Sequence, residues 1–453
     1  MTKIFSTVKA TRPALALLGL GLAGLAGCQP DIDSNGPAPA PGSANFSTYL
    51  AVGNSLTAGY QSGGVARAGQ LQSYPNILAQ QFRQAGGGAF NQPLFDQAYA
   101  HGAGYLRLAA ITNGSPVTVP VTDSLAVIPG SLNAGTNLLR KYTGTDNQNL
   151  GVPGIRVADV TTAGYGLNNP VGFNPYFERL LPGSSGATYL QYVQERVATL
   201  KPTFFSNWLG NNDVLLYASS GGASGALTTV TDFTTKYKQV MDVLTAGGAK
   251  GVLGTIPSVT NVPLFTTVRP AAVKASIRGN AALPNAAAAS LYIRTGAGVT
   301  REATDADYIL LTAQAVLGTG ATATTLPVGV GYSATLANPL PSQYVLDADE
   351  AAAVTTRTND LNTVIRNEAT TRGLALFDAN AYFQGVAASG VYTNGVNNTT
   401  SFITGNLFSL DGVHPSARGY ALIANQIIQV INAKYGATIP LVNANDYRGV
   451  PLP

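Results

Sequence analysis

The chain is poor in the side chains that most often carry metal and redox chemistry. One cysteine, Cys28, occurs in 453 residues, so no disulfide can close within the chain. Two histidines, His101 and His414, are present, and any imidazole chemistry must use one of them. Two distant histidines and one cysteine do not make a zinc ligand set, and neither a metal nor another cofactor is expected. Charged side chains reach only 11%, under half the usual share of about 25%. The 26 basic and 22 acidic residues leave a net charge of +4. After the first residues there is no Lys/Arg cluster and no basic stripe interleaved with aromatics, which argues against a nucleic-acid partner. Glycine, with 51 copies, fills the space together with Ala, Asn and Thr, the composition of a surface rich in uncharged loops. The 45% apolar content is enough for a large core, either in several domains or in one α/β domain with long insertions.

Lys3, Lys9 and Arg12 precede an apolar run from Ala14 to Ala26. The run has signal-peptide proportions and is too short and glycine-rich for a spanning helix. It ends in Leu25-Ala26-Gly27-Cys28, which resembles the lipobox of bacterial lipoproteins. The resemblance implies cleavage before Cys28 and a diacylglycerol on its sulfur, with about 0.8 kcal/mol of membrane affinity per buried CH₂. Residues 1–27 then form a signal peptide, and residues 28–45 a lipidated cysteine with a Pro-rich tether. The mature protein is expected at a bacterial membrane, the outer one, as a monomer. Gly19-x-Gly21-x-x-Gly24 spells a dinucleotide fingerprint but has no strand before it, and Ser6-x-x-Lys9 is removed with the signal. Both matches are noise.

From Thr48 the pattern alternates. Strands are predicted over 48–52, 203–208, 251–256 and 374–377, and helices over 74–84, 188–200, 229–244, 349–371 and 416–434. Strand-helix alternation signals parallel βαβ units with helices on both faces of the sheet. Ligands of such sheets sit beyond the carboxyl ends of the strands. The domain is placed at 46–436, followed by a short extension over 437–453. Two stretches break the alternation, about 87–147 and 261–346, and read as insertions near the site. The second holds an apolar, helix-like patch from Ala306 to Leu317.

Four short segments carry candidate chemistry. Gly53-Asn54-Ser55-Leu56-Thr57 follows the first strand, where a turn can lift a serine hydroxyl above the sheet edge. It is not an α/β-hydrolase elbow, because Thr57 stands where that motif needs glycine. Asp411-Gly412-Val413-His414-Pro415 precedes the last helix and offers a base with a carboxylate to fix its tautomer. Leu209-Gly210-Asn211-Asn212-Asp213 follows a strand, and an asparagine amide there can donate to a developing oxyanion. In Asn149-Leu150-Gly151-Val152-Pro153-Gly154, a glycine lets a backbone N–H approach an oxyanion with no Cβ in the way. His101 has only Asp96 as a nearby carboxylate in sequence and reads as structural or pocket-lining. Asp305 and Asp307 read as a solvated face or a helix start.

In this order the four segments resemble the sequence blocks of the SGNH hydrolase superfamily, whose first block usually reads GDSL. The resemblance implies a flavodoxin-like three-layer α/β/α sandwich with a parallel sheet and ester hydrolysis without a metal. It makes Ser55, Asp411 and His414 the catalytic residues, and the Ser55 and Gly154 amides with the Asn212 side chain the oxyanion hole. Its partner is an ester substrate. Asn54 departs from the pattern by replacing the Asp of GDSL, keeping the hydrogen-bonding shape and losing the charge. Two rival readings fit the same residues. One is a surface glycan- or protein-binding lipoprotein that lost turnover, and the other is an acyl transferase.

Overall fold

Tyr49–Gly53 is buried at every position, the mark of a strand covered on both faces. It is β1 of a computed structural model that describes residues 37–112, 115–131, 137–167, 172–183, 186–322 and 324–453. The signal-like run, Cys28 and the first part of the tether lie outside the described residues. In chain order the scaffold continues with α1 (Tyr74–Gln84), β2 (Asn149–Gly151), α2 (Tyr189–Leu200), β3 (Phe204–Trp208) and α3 (Val230–Thr245). It is completed by β4 (Lys250–Gly254), α4 (Ala348–Thr371), β5 (Ala375–Phe377) and α5 (Ala417–Tyr435). Helix starts follow local chemistry. Thr188 and Gln191 form a capping box on α2, as do Asp347 and Glu350 on α4, each satisfying two otherwise orphaned amides.

All strand pairs in the main sheet are parallel, in the order β5-β4-β3-β1-β2. Helices α1 and α5 pack together, as do α2, α3 and α4, giving the three layers predicted from the sequence. Tyr49 of β1 and Phe204 of β3 both pack on Phe82 of α1, and Phe46, just before β1, stacks on Phe82 at 4.2 Å. The chain runs from β1 out to β2, then crosses back to β3 on the other side of β1. A crevice opens at such a reversal, beyond the carboxyl ends of the strands. Ser55, Gly154 and Asn212 all follow the carboxyl ends of these three adjacent strands.

The first inserted stretch contains an antiparallel hairpin, Tyr105–Thr112 against Ser115–Val121. Leu108 of the hairpin clusters with Ile403 and Leu410. The second inserted stretch has a small core of its own, including Val268, Leu291, Ile293 and Val330, around a three-stranded antiparallel sheet. Two expectations fail there. The patch from Ala306 to Leu317 is no α-helix but a short strand, Tyr308–Ile309, followed by a 3-10 turn, Leu311–Ala315. Ile309 pairs with Val345 and bridges to Val268, so tertiary pairing overrides the local pattern. Asp305 is exposed, but Asp307 is no solvated residue: its side chain is fully buried. Asp307 accepts two 2.7 Å bonds from the Arg301 guanidinium, and the N–H groups of Thr304 and Ala348. It therefore ties the insertion to the first turn of α4.

Candidate active site

Ser55 opens a single helical turn, Ser55–Ala58, directly after β1. Asn54 caps that turn by accepting the Leu56 N–H at 3.1 Å, a task that needs an oxygen and no charge. The same oxygen is what the Asp of a GDSL block would offer. The Asn54 amide nitrogen is buried and has no partner among the described residues. Ser55 Oγ lies 2.8 Å from His414 Nε2, and His414 Nδ1 lies 3.0 Å from Asp411 Oδ2. Three residues that the sequence separates by up to 359 positions thus form one hydrogen-bonded chain.

The loop from Ser409 to His414 is shaped by Gly412, whose φ of +71° suits glycine. The Ser409 N–H donates to the His414 carbonyl and the Gly412 N–H to the Ser409 carbonyl. Asp411 Oδ1 accepts the N–H groups of Val413 (2.9 Å) and His414 (2.8 Å), and Oδ2 also accepts the Gly63 N–H (2.9 Å). Burial alone would push the Asp411 carboxyl up. The charge of His414 and these donors outweigh it and bring the group down to about 2. An ionised carboxylate can only accept. Nδ1 of His414 must therefore carry the hydrogen, which leaves the Nε2 lone pair facing the Ser55 hydroxyl.

Sequence reasoning missed the supports of this loop. The Tyr60 ring lies over His414 with centroids 4.3 Å apart, and its hydroxyl donates to the Gly63 carbonyl at 2.6 Å. Burial, with the Asp411 charge second, pushes the Tyr60 phenol up to about 12. The Ser62 N–H donates to Ser409 Oγ (2.8 Å), and the Leu410 N–H to Ser62 Oγ (3.3 Å). Ser409 Oγ donates to Asp411 Oδ1 at 3.3 Å. The turn after Ser55 therefore braces the loop that carries Asp411 and His414. The Ser62-Gly63-Gly64 turn signal was visible, but nothing in it points to a partner 347 residues away.

The predicted oxyanion donors are arranged as follows. Gly154 has φ +83°, and neither its N–H nor that of Ser55 has an acceptor among the described residues. The first N–H groups of a helical turn lack acceptors within the turn. Asn212, buried at the start of the helix Asn212–Ala218, donates one amide hydrogen to the Ile155 carbonyl at 2.9 Å. Its second amide hydrogen is left to donate elsewhere. Asp213 accepts the Val157 and Ala158 N–H groups at 2.8 and 3.2 Å. The loop after β2 is thus fastened to the loop after β3 by both residues. Asp213 is in no salt bridge among the described residues, and burial pushes its carboxyl up to about 6 against the pull of its hydrogen bonds.

His101 stands apart from this cluster. Its Nδ1 lies 2.9 Å from the Asp123 carbonyl and 3.4 Å from the Asp123 carboxylate, so its acidic neighbour is Asp123 and not Asp96. Among the described residues, no group of three or more His, Cys, Asp or Glu could hold a metal ion. No helix among them is long and apolar enough to cross a membrane.

No curated protein matches the chain. Among solved structures, a mutant acetyl-xylooligosaccharide esterase from Geobacillus stearmophilus is 12% identical, covering 86% of this chain and 95% of its own, with a TM-score of 0.35. An extracellular lipase from Streptomyces rimosus is 13% identical, covering 85% and 98%, with a TM-score of 0.33. A lipase/acylhydrolase from Enterococcus faecalis is 13% identical, covering 87% and 98%, with a TM-score of 0.32. The family model described as GDSL-like Lipase/Acylhydrolase matches residues 49–427, a span that contains every strand of the main sheet and all four motif segments. The chain belongs to the GDSL-like lipase/acylhydrolase family and is a carboxylic ester hydrolase.

Proposed function

We propose that this hydrolase works through an acyl-enzyme on Ser55. His414 Nε2 takes the hydroxyl proton as Ser55 Oγ attacks the ester carbonyl, and the carbonyl π electrons move onto oxygen. The Ser55 and Gly154 N–H groups and the Asn212 amide hold that oxyanion. When the C–O bond to the leaving group breaks, His414 returns the proton to the departing alkoxide. A water then attacks the acyl-Ser55 carbonyl, with His414 again taking a proton and handing it to Ser55 as the acid departs. Asp411 fixes the tautomer of His414 and stabilises its cation. The observation that carries this reading is the 2.8 and 3.0 Å contact chain from Ser55 through His414 to Asp411, at the sheet's topological reversal. Ser55→Ala should lower kcat on p-nitrophenyl acetate by about 10⁴-fold or more, with an unchanged circular dichroism spectrum. Retention of activity within a few-fold would end the assignment.

We further infer that Cys28 is lipidated and anchors the domain at the outer membrane through residues 28–45. The chain's one cysteine occupies the position at which the lipobox requires one. Radiolabelled palmitate should enter the parent protein and not Cys28→Ala. Equal labelling of both would contradict the anchor.

A further inference from the structure

Tyr60 meets each member of the chain that runs from Ser55 through His414 to Asp411. Its N–H donates to the Ser55 carbonyl at 3.0 Å. Its ring lies over the His414 ring, with centroids 4.3 Å apart and planes tilted by 38°. Its hydroxyl donates to the Gly63 carbonyl at 2.6 Å, and the Gly63 N–H donates to Asp411 Oδ2 at 2.9 Å. Local sequence sets this place. The turn Ser55–Ala58 ends at Gly59, which lies in the left-handed region at φ +79°, and a Cβ there would run into the Gly69 carbonyl. Glycine thus ends the turn and brings the next residue, Tyr60, back against Ser55.

The tyrosine is itself held. The Tyr420 hydroxyl, from α5, donates to the Tyr60 carbonyl at 2.8 Å, and the Tyr176 ring packs against the Tyr60 ring at 6.3 Å in an edge contact. The charges around the pair are few. His414 makes its ion pair with Asp411. The other titratable groups beside it are phenols, Tyr60, Tyr176 and Tyr420. Burial raises all three, and the Asp411 charge adds to the rise at Tyr60 and Tyr420. They stay neutral through the range in which an imidazole titrates. Charged residues on the same elements are engaged elsewhere: Arg179 lies over Phe95, Glu178 pairs with Lys141, and Arg418 donates to the Tyr447 carbonyl.

When Ser55 Oγ gives its proton to Nε2, the His414 ring becomes a cation. The π face of a tyrosine attracts a cation that lies within about 6 Å of its centroid, and attracts a neutral imidazole less. A contact that strengthens during the transfer lowers the barrier and leaves substrate binding little changed. We propose that Tyr60 is a positioning residue of the reaction, whose ring face holds the His414 ring toward Ser55 and stabilises the imidazolium formed as Ser55 attacks. The proposal rests on the acyl-enzyme reading and adds to it a residue from outside the Ser55, His414 and Asp411 set. Tyr60 neither gains nor loses a proton in it.

The pH profile of kcat/KM on p-nitrophenyl acetate tests this, because a residue that only packs changes the rate and not the titration. Tyr60→Leu keeps apolar bulk and removes the π face. It should lower kcat by about three- to thirtyfold with KM within about two-fold, and move the acid limb of the profile down by about half a pH unit or more. The sign follows from the charge: without the face the imidazolium is less stable, so His414 sheds its proton at lower pH. Tyr60→Phe keeps the face and should leave the acid limb in place. Replacement of Tyr60 by a ring-trifluorinated phenylalanine keeps the shape and drains the face of electrons. It should move the limb as Tyr60→Leu does, and it decides the question if Tyr60→Leu fails to fold. An acid limb unmoved by the fluorinated ring, or moved equally by Tyr60→Phe, overturns the proposal. Failure of the acyl-enzyme reading would appear separately, as activity retained in Ser55→Ala. An NMR titration of the His414 ring, one of two histidines in the chain, reads the contact without turnover: its midpoint should fall with the fluorinated ring, and an unmoved midpoint would sink the role given to Tyr60.

Discussion

The loop at 409–414 and the inserted segment at 301–307 each bury a carboxylate, and the two use it in opposite ways. Asp411 spends its lone pairs on its own loop, on Gly63 and on a histidine that points onward to Ser55. Asp307 spends its lone pairs on Arg301 and on the amides of Thr304 and Ala348, and nothing reactive lies beyond. Both carboxyls are held below their usual range. Asp213 is a third case: it is buried beside the site, in no salt bridge among the described residues, and is pushed upward. A buried carboxylate thus marks chemistry only when its partner can pass a proton to something else.

The sharpest way to break the comparison is to neutralise one carboxylate at a time. Asp411→Asn offers Nδ1 an amide in place of a carboxylate and stabilises the wrong tautomer, so kcat should fall by about 10⁴-fold. A steady-state assay that finds less than a tenfold loss would place Asp411 in the same structural class as Asp307. Asn212→Ala should come next, lowering kcat by about 10²- to 10³-fold with little change in KM. Equal changes in KM and kcat/KM at constant kcat would assign Asn212 to ground-state binding instead.

Arg301→Met leaves Asp307 buried without its cation and should cost about 3 kcal/mol of stability in urea melts. Turnover per folded molecule should stay within two-fold of the parent, the converse of Asp411→Asn. The two scaffold carboxylates should also separate in a pH series. Asp213, raised to about 6 from 3.8, binds its proton more tightly in the folded state. Its contribution to stability is therefore greatest at low pH and is lost as pH rises from about 4 to about 6, by up to about 3 kcal/mol. Asp411, lowered to about 2, stabilises the fold above about pH 4 and loses that effect as pH falls toward 2. Asp213→Asn should flatten the pH 4–6 part of a Tm-against-pH curve and leave the acid limb unchanged. An unchanged slope between pH 4 and 6 would contradict the upward shift.

How much of this was readable in the sequence follows from the length of each signal. The strands and helices of the scaffold show the right periodicity within ten to twenty residues, and each predicted helix is found within about two residues of its place. Ser55, Asp411 and His414 were readable because each lies in a short motif at a strand end or before a helix. Tyr60, Ser62 and Ser409 were not, since their meaning depends on two loops touching across 347 positions. The 306–317 patch failed for a related reason. Its apolar residues serve unrelated neighbours, with Ile309 on Val268 and Val345, and a helical spacing there was coincidence. The role of Asp307 became visible only once Arg301 and the start of α4 were beside it.

The account turns on a proton moving from the Ser55 hydroxyl to the His414 ring. Labelling with a fluorophosphonate probe, followed by peptide mapping, reads this transfer directly. The adduct should map to Ser55 alone, and its formation should slow by at least a thousandfold in His414→Ala while the melting transition is kept. An adduct on any other residue, or labelling of Ser55 at the parental rate without His414, would contradict it.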